Sequence, residues 1–163
     1  MVRNLLLIRH AEAEFPDEKK RDFDRKLSGN GQKQGIILGG YIKQLPFQLN
    51  AIYYSPALRT LQTSQHICAA LTEVPRLMDA EELYEATGNL MKAFVNRMDD
   101  NFEHVAIVGH NPGISDLYSF LSGNYEPYAP ATCAWLTFEA ESWAHVSGHM
   151  AIQKDFYYPG QAS

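Results

Sequence analysis

The chain has 163 residues, of which 45% are hydrophobic and 20% charged, and a formal net charge of −5. That length suits one compact domain with a core that needs neither disulfides nor a structural metal, so residues 1–163 are read as a single domain. The acidic balance, without a Lys/Arg run that could track a phosphate backbone, argues against bulk nucleic-acid binding, and no apolar stretch reaches membrane length.

Residues 5–8 (Leu-Leu-Leu-Ile) form a continuous apolar run, the pattern of a strand buried on both faces of a parallel sheet. Four residues are too few for a secretory core, so a cytoplasmic protein is expected. Residues 12–26 are charged and contain Pro16, which reads as a surface loop. Ser28 is placed to cap a helix from about Gly31 to Leu45, with Ile37, Leu38, Tyr41, Ile42 and Leu45 facing inward until Pro46 ends it. Residues 51–54 are a second strand. Ser55 then reads as an N-cap and Pro56 as the first position of a helix carrying Leu58, Leu61, Ile67 and Leu71.

A short strand is expected at 76–78, and a helix at 89–98 with Leu90, Phe94, Val95 and Met98 inward. Residues 105–108 (Val-Ala-Ile-Val) are the clearest buried strand. Gly109-His110-Asn111-Pro112-Gly113 leads from it into a helix with Ile114, Leu117, Tyr118 and Leu121. Ala134, Leu136 and Phe138 alternate along a further strand, and residues 150–156 supply its returning partner. This order implies an α/β domain with a mostly parallel central sheet, whose ligands bind beyond the carboxyl ends of the strands.

Three of those strand ends carry the same kind of group. The first ends in Arg9-His10, the second leads to Arg59 one turn into its helix, and the 105–108 strand ends in Gly109-His110. Two arginines and two histidines at one sheet edge suit phosphoryl transfer, where charge on the phosphoryl oxygens must meet fixed donors. Arginine offers a planar, permanently charged fork; histidine supplies a nucleophilic nitrogen when neutral and a donor when protonated. Asn111-Pro112-Gly113 opens a helix, whose free N–H groups and positive dipole end would also face the anion. His66, His104, His145 and His149 read as structural. Cys68 and Cys133 read as reduced thiols, and no metal or other cofactor is expected.

Leu7-Ile8-Arg9-His10-Ala11-Glu12 resembles the Arg-His-Gly signature of the histidine phosphatase (phosphoglycerate mutase-like) superfamily, with Ala11 in place of the usual Gly. Ser55-Pro56-Ala57-Leu58-Arg59-Thr60-Leu61-Gln62-Thr63 is similar to that family's second motif, and Val108-Gly109-His110-Asn111-Pro112 to its third. Asp24-Arg25-Lys26-Leu27-Ser28, with Gly31, is similar to a stretch of the short SixA-type phosphohistidine phosphatases. The resemblance implies a three-layer α/β/α sandwich of phosphoglycerate mutase-like fold. It implies that His10 attacks phosphorus, that Arg9, Arg59 and a protonated His110 hold the phosphoryl group, and that Arg25 and Asn111 reach the substrate. In larger members a carboxylic acid protonates an ester leaving group; Glu85 stands where that acid falls, and Glu82 is a second candidate. The implied substrate is a phosphohistidine on a signalling protein. A small phosphate ester, a mutase reaction or a non-catalytic phosphate-binding module are the alternatives.

Overall fold

The computed structural model describes residues 1–160. Six strands form one sheet in the order β3-β2-β4-β1-β5-β6. They are β1 (Val2–Arg9), β2 (Ala51–Tyr54), β3 (Arg76–Asp79), β4 (His104–Gly109), β5 (Cys133–Glu139) and β6 (Ile152–Tyr157). β1, β2, β3 and β4 pair in parallel, while β5 runs antiparallel to both β1 and β6. The helices are α1 (Gly29–Lys43), α2 (Leu58–Ala70), α3 (Gly88–Asn96) and α4 (Gly113–Ser122).

Alternation along the central strands sorts the core into two halves. Leu5, Leu7, Val105 and Ile107 pack under α3 and α4, against Met91, Phe94, Ile114 and Leu117. Leu6, Ile8, Ala106 and Val108 pack on the other face, against Leu38 and Ile42 of α1 and Ile67 of α2. The expected mostly parallel, three-layer α/β/α sandwich is therefore the observed one. Ala134, Leu136 and Phe138 of β5 lie together in the first half, as their alternation indicates.

The helix faces differ from the sequence reading. Ile37 is 62% exposed and Leu90 56% exposed, although both were expected inward. On α1 the buried face is Gly31, Gly35, Leu38, Gly39 and Ile42. A Cβ at Gly35 would lie 2.8 Å from the His66 ring, and one at Gly39 2.9 Å from Ala70 Cβ, so α1 meets α2 along a glycine seam. Apolar periodicity is blind to such a seam, because glycine carries no hydrophobic signal. On α2 the fully covered positions are Arg59, Thr60, Thr63, Ser64 and Ile67, rather than the leucines expected there. On α3, Met91 takes the buried place expected of Leu90.

Ser28 caps α1 as expected, accepting from the Gly31 N–H at 2.9 Å. Ser55 and Pro56 do not open α2; the helix begins at Leu58 after Ala57, which makes no side-chain cap. The carbonyl and hydroxyl of Ser55 serve the site instead. Its carbonyl accepts from Thr60 Oγ1 at 2.5 Å, and its hydroxyl meets His110 Nε2 at 2.7 Å. Among the described residues, no helix is long and apolar enough to cross a membrane.

Candidate active site

Strand register sets the level of the site. Arg9 pairs with Gly109 at the end of β1 and β4, and Tyr54 pairs with Val108 at the end of β2. The next N–H groups continue the ladder: His10 N donates to Gly109 O at 3.1 Å and Ser55 N to Val108 O at 3.2 Å. His10, Ser55 and His110 consequently stand side by side at the carboxyl edge of three neighbouring strands. The His10 and His110 ring centroids are 5.3 Å apart. Ala11 follows with its N–H on Thr63 Oγ1 at 3.0 Å, fully buried in the α1/α2 half of the core. It is not among the residues with positive φ, so alanine serves here where the motif has glycine.

Hydrogen bonds define the state of each ring. His10 Nδ1 lies 2.7 Å from Ala11 O, and a carbonyl only accepts, so Nδ1 carries the proton and Nε2 keeps its lone pair. Burial lowers the His10 pKa to about 3; the Ala11 hydrogen bond opposes this, and His110, Arg59 and Arg9 add to it. Arg59 Nη2 donates to His110 Nδ1 at 3.3 Å, which makes Nε2 the donor to Ser55 Oγ. Burial and then the Arg59 charge lower the His110 pKa to about 4. Both rings are thus neutral near pH 7. Before an anion arrives, the neighbouring guanidinium already occupies the acceptor nitrogen of His110.

The two arginines are tied by their outer nitrogens. Arg9 Nη1 donates to Tyr128 O at 2.9 Å. Arg59 Nη1 donates to Asp22 O at 2.8 Å and Nη2 to Asp22 Oδ2 at 3.0 Å. The Nε–H of each is buried and has no partner. Burial, then the Arg59 charge, lowers the Arg9 pKa, a sign that two cations share a confined space. Two guanidiniums with unsatisfied Nε–H donors, both near enough to His10 to lower its pKa, suit the binding of a tetrahedral oxyanion to which His10 is the nucleophile.

The outlying candidates are differently placed. Arg25 is held by Asp22 Oδ1 at 2.9 Å and by Glu14 O at 2.9 Å. Asn111 is committed to the backbone: its Nδ2 donates to Tyr128 O at 3.1 Å and its Oδ1 accepts from Ser115 N at 3.3 Å. Because Ile114 N also donates to His110 O, the start of α4 has fewer free N–H groups than the sequence suggested. Glu82 is drawn onto Arg97 at 3.4 Å. Glu85 is exposed, with a left-handed backbone (φ 58°), next to Tyr84. The loop around Glu85 sits tightly on α4, since a Cβ at Gly113 would lie 2.4 Å from Ala86 O.

Three neighbours escaped the sequence reading. Ser55 holds His110. Asp22 joins Arg59 to Arg25. Tyr84 donates its hydroxyl to Asp22 Oδ2 at 2.9 Å and sets its ring edge-on to His110, with centroids 5.6 Å apart. His145 and His149 have the four-residue spacing of a helical ligand pair, but the 3₁₀ turn there ends at His145. Among the described residues, no group of three or more His, Cys, Asp or Glu side chains is placed to hold a metal ion.

Comparison with known proteins meets this geometry. The model of the histidine phosphatase superfamily (branch 1) matches residues 5–86, which carry the first two motifs. The chain belongs to the histidine phosphatase superfamily. An uncharacterised protein of Mycobacterium tuberculosis is 32% identical over 110 residues, 68% of this chain and just under two thirds (66%) of its own length. Solved structures share the histidine phosphatase, phosphoglycerate mutase-like fold over nearly the whole chain. A protein of Nakamurella multipartitia assigned as the phosphohistidine phosphatase SixA superposes with a TM-score of 0.83 at 24% identity, covering 99% of this chain and 98% of its own. The protein histidine phosphatase SixA complexed with tungstate gives 0.80 at 19% identity, covering 96% and 97%. The enzyme class expected from the sequence, a hydrolase of the histidine phosphatase type, is consistent with that membership. The SixA-like fold extends past residue 86, to the strand and turn that bring His110 beside His10.

Proposed function

We propose that the protein is a metal-independent phosphohistidine phosphatase, a single domain that uses His10 as its nucleophile. The observation that carries the reading is the neutral, buried His10, with Nε2 free and two unpartnered arginine Nε–H groups close by. Nε2 attacks phosphorus as the bond from phosphorus to the leaving nitrogen breaks, and the substrate imidazole, already protonated on its other ring nitrogen, leaves as a neutral imidazole. Arg9 and Arg59 take up the oxyanion charge. As negative charge enters, it raises the pKa of His110, which then donates to a phosphoryl oxygen. Water attacks the phosphohistidine intermediate, releasing inorganic phosphate and restoring His10. Arg25 and Asn111 act from the rim, Arg25 toward the substrate and Asn111 through the carbonyl that holds Arg9.

Two features support a phosphorylated histidine over a sugar phosphate. Tyr84 and Phe23, at right angles with centroids 5.4 Å apart, give the rim beside His110 an aromatic surface for a flat leaving group. Asp22, the carboxylate in contact with the site, is unsuited to protonate an ester oxygen: burial raises its pKa, but hydrogen bonds from Tyr84 and Arg25 and the Arg59 charge bring it down to about 2. A phosphoramidate needs that acid least. The exposed Glu85 is left as the acid for ester substrates.

A panel of phosphohistidine peptides and small phosphate esters, assayed with and without chelator, tests the reading. Phosphohistidine turnover that persists in chelator is the expected result. Glu85→Gln should lower ester turnover about a hundredfold while affecting phosphohistidine far less. Efficient turnover of a small ester with none of phosphohistidine would move the substrate to the ester class. Tungstate binding without any turnover would make the protein a phosphate-binding module.

A further inference from the structure

Asp22 lies in the loop between β1 and α1, in a 3₁₀ turn (Asp22–Asp24), yet its side chain ties its own loop to two distant segments, α2 and the turn before α3. Its Oδ1 accepts from Arg25 Nε at 3.0 Å and is in ion-pair contact with Arg25 Nη2 at 2.9 Å; its Oδ2 accepts from Arg59 Nη2 and Tyr84 Oη. A carboxylate has about four lone-pair sites, and three of them accept hydrogen bonds from within the protein. Most of its accepting capacity is thus spent on neighbouring side chains. Its carbonyl takes Arg59 Nη1 as well, so one residue holds both outer nitrogens of a guanidinium that is only 5% exposed.

Of the five N–H donors of Arg59, one on Nη1 and two on Nη2 are engaged by Asp22 and His110, while the Nε–H is buried and has no partner. We propose that Asp22 is a positioning residue that acts through Arg59, turning its Nε edge toward the phosphoryl oxygens and holding it there before the substrate arrives. The inference rests on the phosphoryl-site reading above. Tyr84 and Arg25 fix the carboxylate in turn, so the loop before α1 and the turn before α3 meet on one ion. Preorganised donors need no reorientation when the anion binds, and that is the source of their advantage.

Titration calorimetry of the full chain with tungstate tests this without requiring turnover. Asp22→Asn keeps the carbonyl and the shape but removes the charge-assisted ties, and should weaken tungstate binding about tenfold. In an Arg59→Ala background the same change should alter affinity less than about twofold, because the residue through which Asp22 acts is gone. Tyr84→Phe, which keeps the ring, should show a smaller loss that also vanishes in that background. NMR titration of His110 adds a charge readout: Asp22 raises the pKa of His110 and Arg59 lowers it, so Asp22→Asn should lower it further. Wild-type tungstate affinity in Asp22→Asn, or an equal loss with and without Arg59, would overturn the proposal. Because calorimetry reads binding alone, neither result depends on whether phosphohistidine is the substrate.

Discussion

The floor and the rim of the site are built by different means. His10, His110, Ser55 and Arg9 belong to strand ends, and hydrogen bonds from the His10 and Ser55 N–H groups to the Gly109 and Val108 carbonyls set their level. Their surroundings are the core itself, with Leu6, Ile8 and Val108 fully buried beneath them. Asp22, Arg25 and Tyr84 sit on loops and are held by side-chain ties to one another, to Arg59 and, for Arg25, to the Glu14 carbonyl. The floor is rigid because moving it would break the sheet, whereas the rim is rigid only while a half-exposed carboxylate stays ionised. The floor should therefore govern the chemistry, and the rim affinity and selectivity.

The harshest test of that division is His10→Ala. Loss of the nucleophile should cost on the order of a thousandfold or more in kcat, measured on a phosphohistidine peptide, with no labelled phosphoenzyme formed. Arg9→Lys should come next, at about a hundredfold in kcat/KM, since an ammonium cannot reach Tyr128 O and the phosphoryl oxygen from one planar fork. A rim substitution as damaging as either would erase the distinction.

Acid should find the floor before the rim. Unfolded histidines protonate near their ordinary 6.5, whereas folded His10 and His110 do so only near 3 and 4, so the unfolded state binds more protons between those limits. Stability should be greatest above pH 6.5 and fall as the pH drops toward 4, by at most about 1.4 kcal/mol per pH unit for each ring. Asp22, ionised down to about 2, loses its contribution only below the ordinary carboxylate range. Thermal melts from pH 7 to 4 check the order, and His110→Gln should flatten the slope. The smallest effect joins the two regions: Gly113→Ala forces a methyl against Ala86 O, and should cost ~1–3 kcal/mol in chemical unfolding while weakening tungstate binding only severalfold.

The same division explains what the sequence made legible. Buried runs such as 105–108 mark their strands, and strand ends mark the positions where side chains leave the sheet, so Arg9, His10, Arg59 and His110 could be placed together before any coordinates. Asp22 and Tyr84 are 62 residues apart and meet across two loops, and no periodicity connects such positions. Ser55 was visible but was given the wrong task, because a serine before a helix also has the pattern of a cap. The glycine seam on α1 was unreadable for a related reason: close packing there depends on missing side chains.

The strand order carries one more consequence. β4 lies between β1 and β2 although it follows both in the chain. As the polypeptide leaves the ribosome, its first two strands cannot become neighbours, and the place between them stays open until residues 104–109 emerge. His110 comes directly behind that strand. The phosphoryl pocket is thus completed by the same event that closes the middle of the sheet, so a nascent chain gains the capacity to bind phosphate only once its core can close.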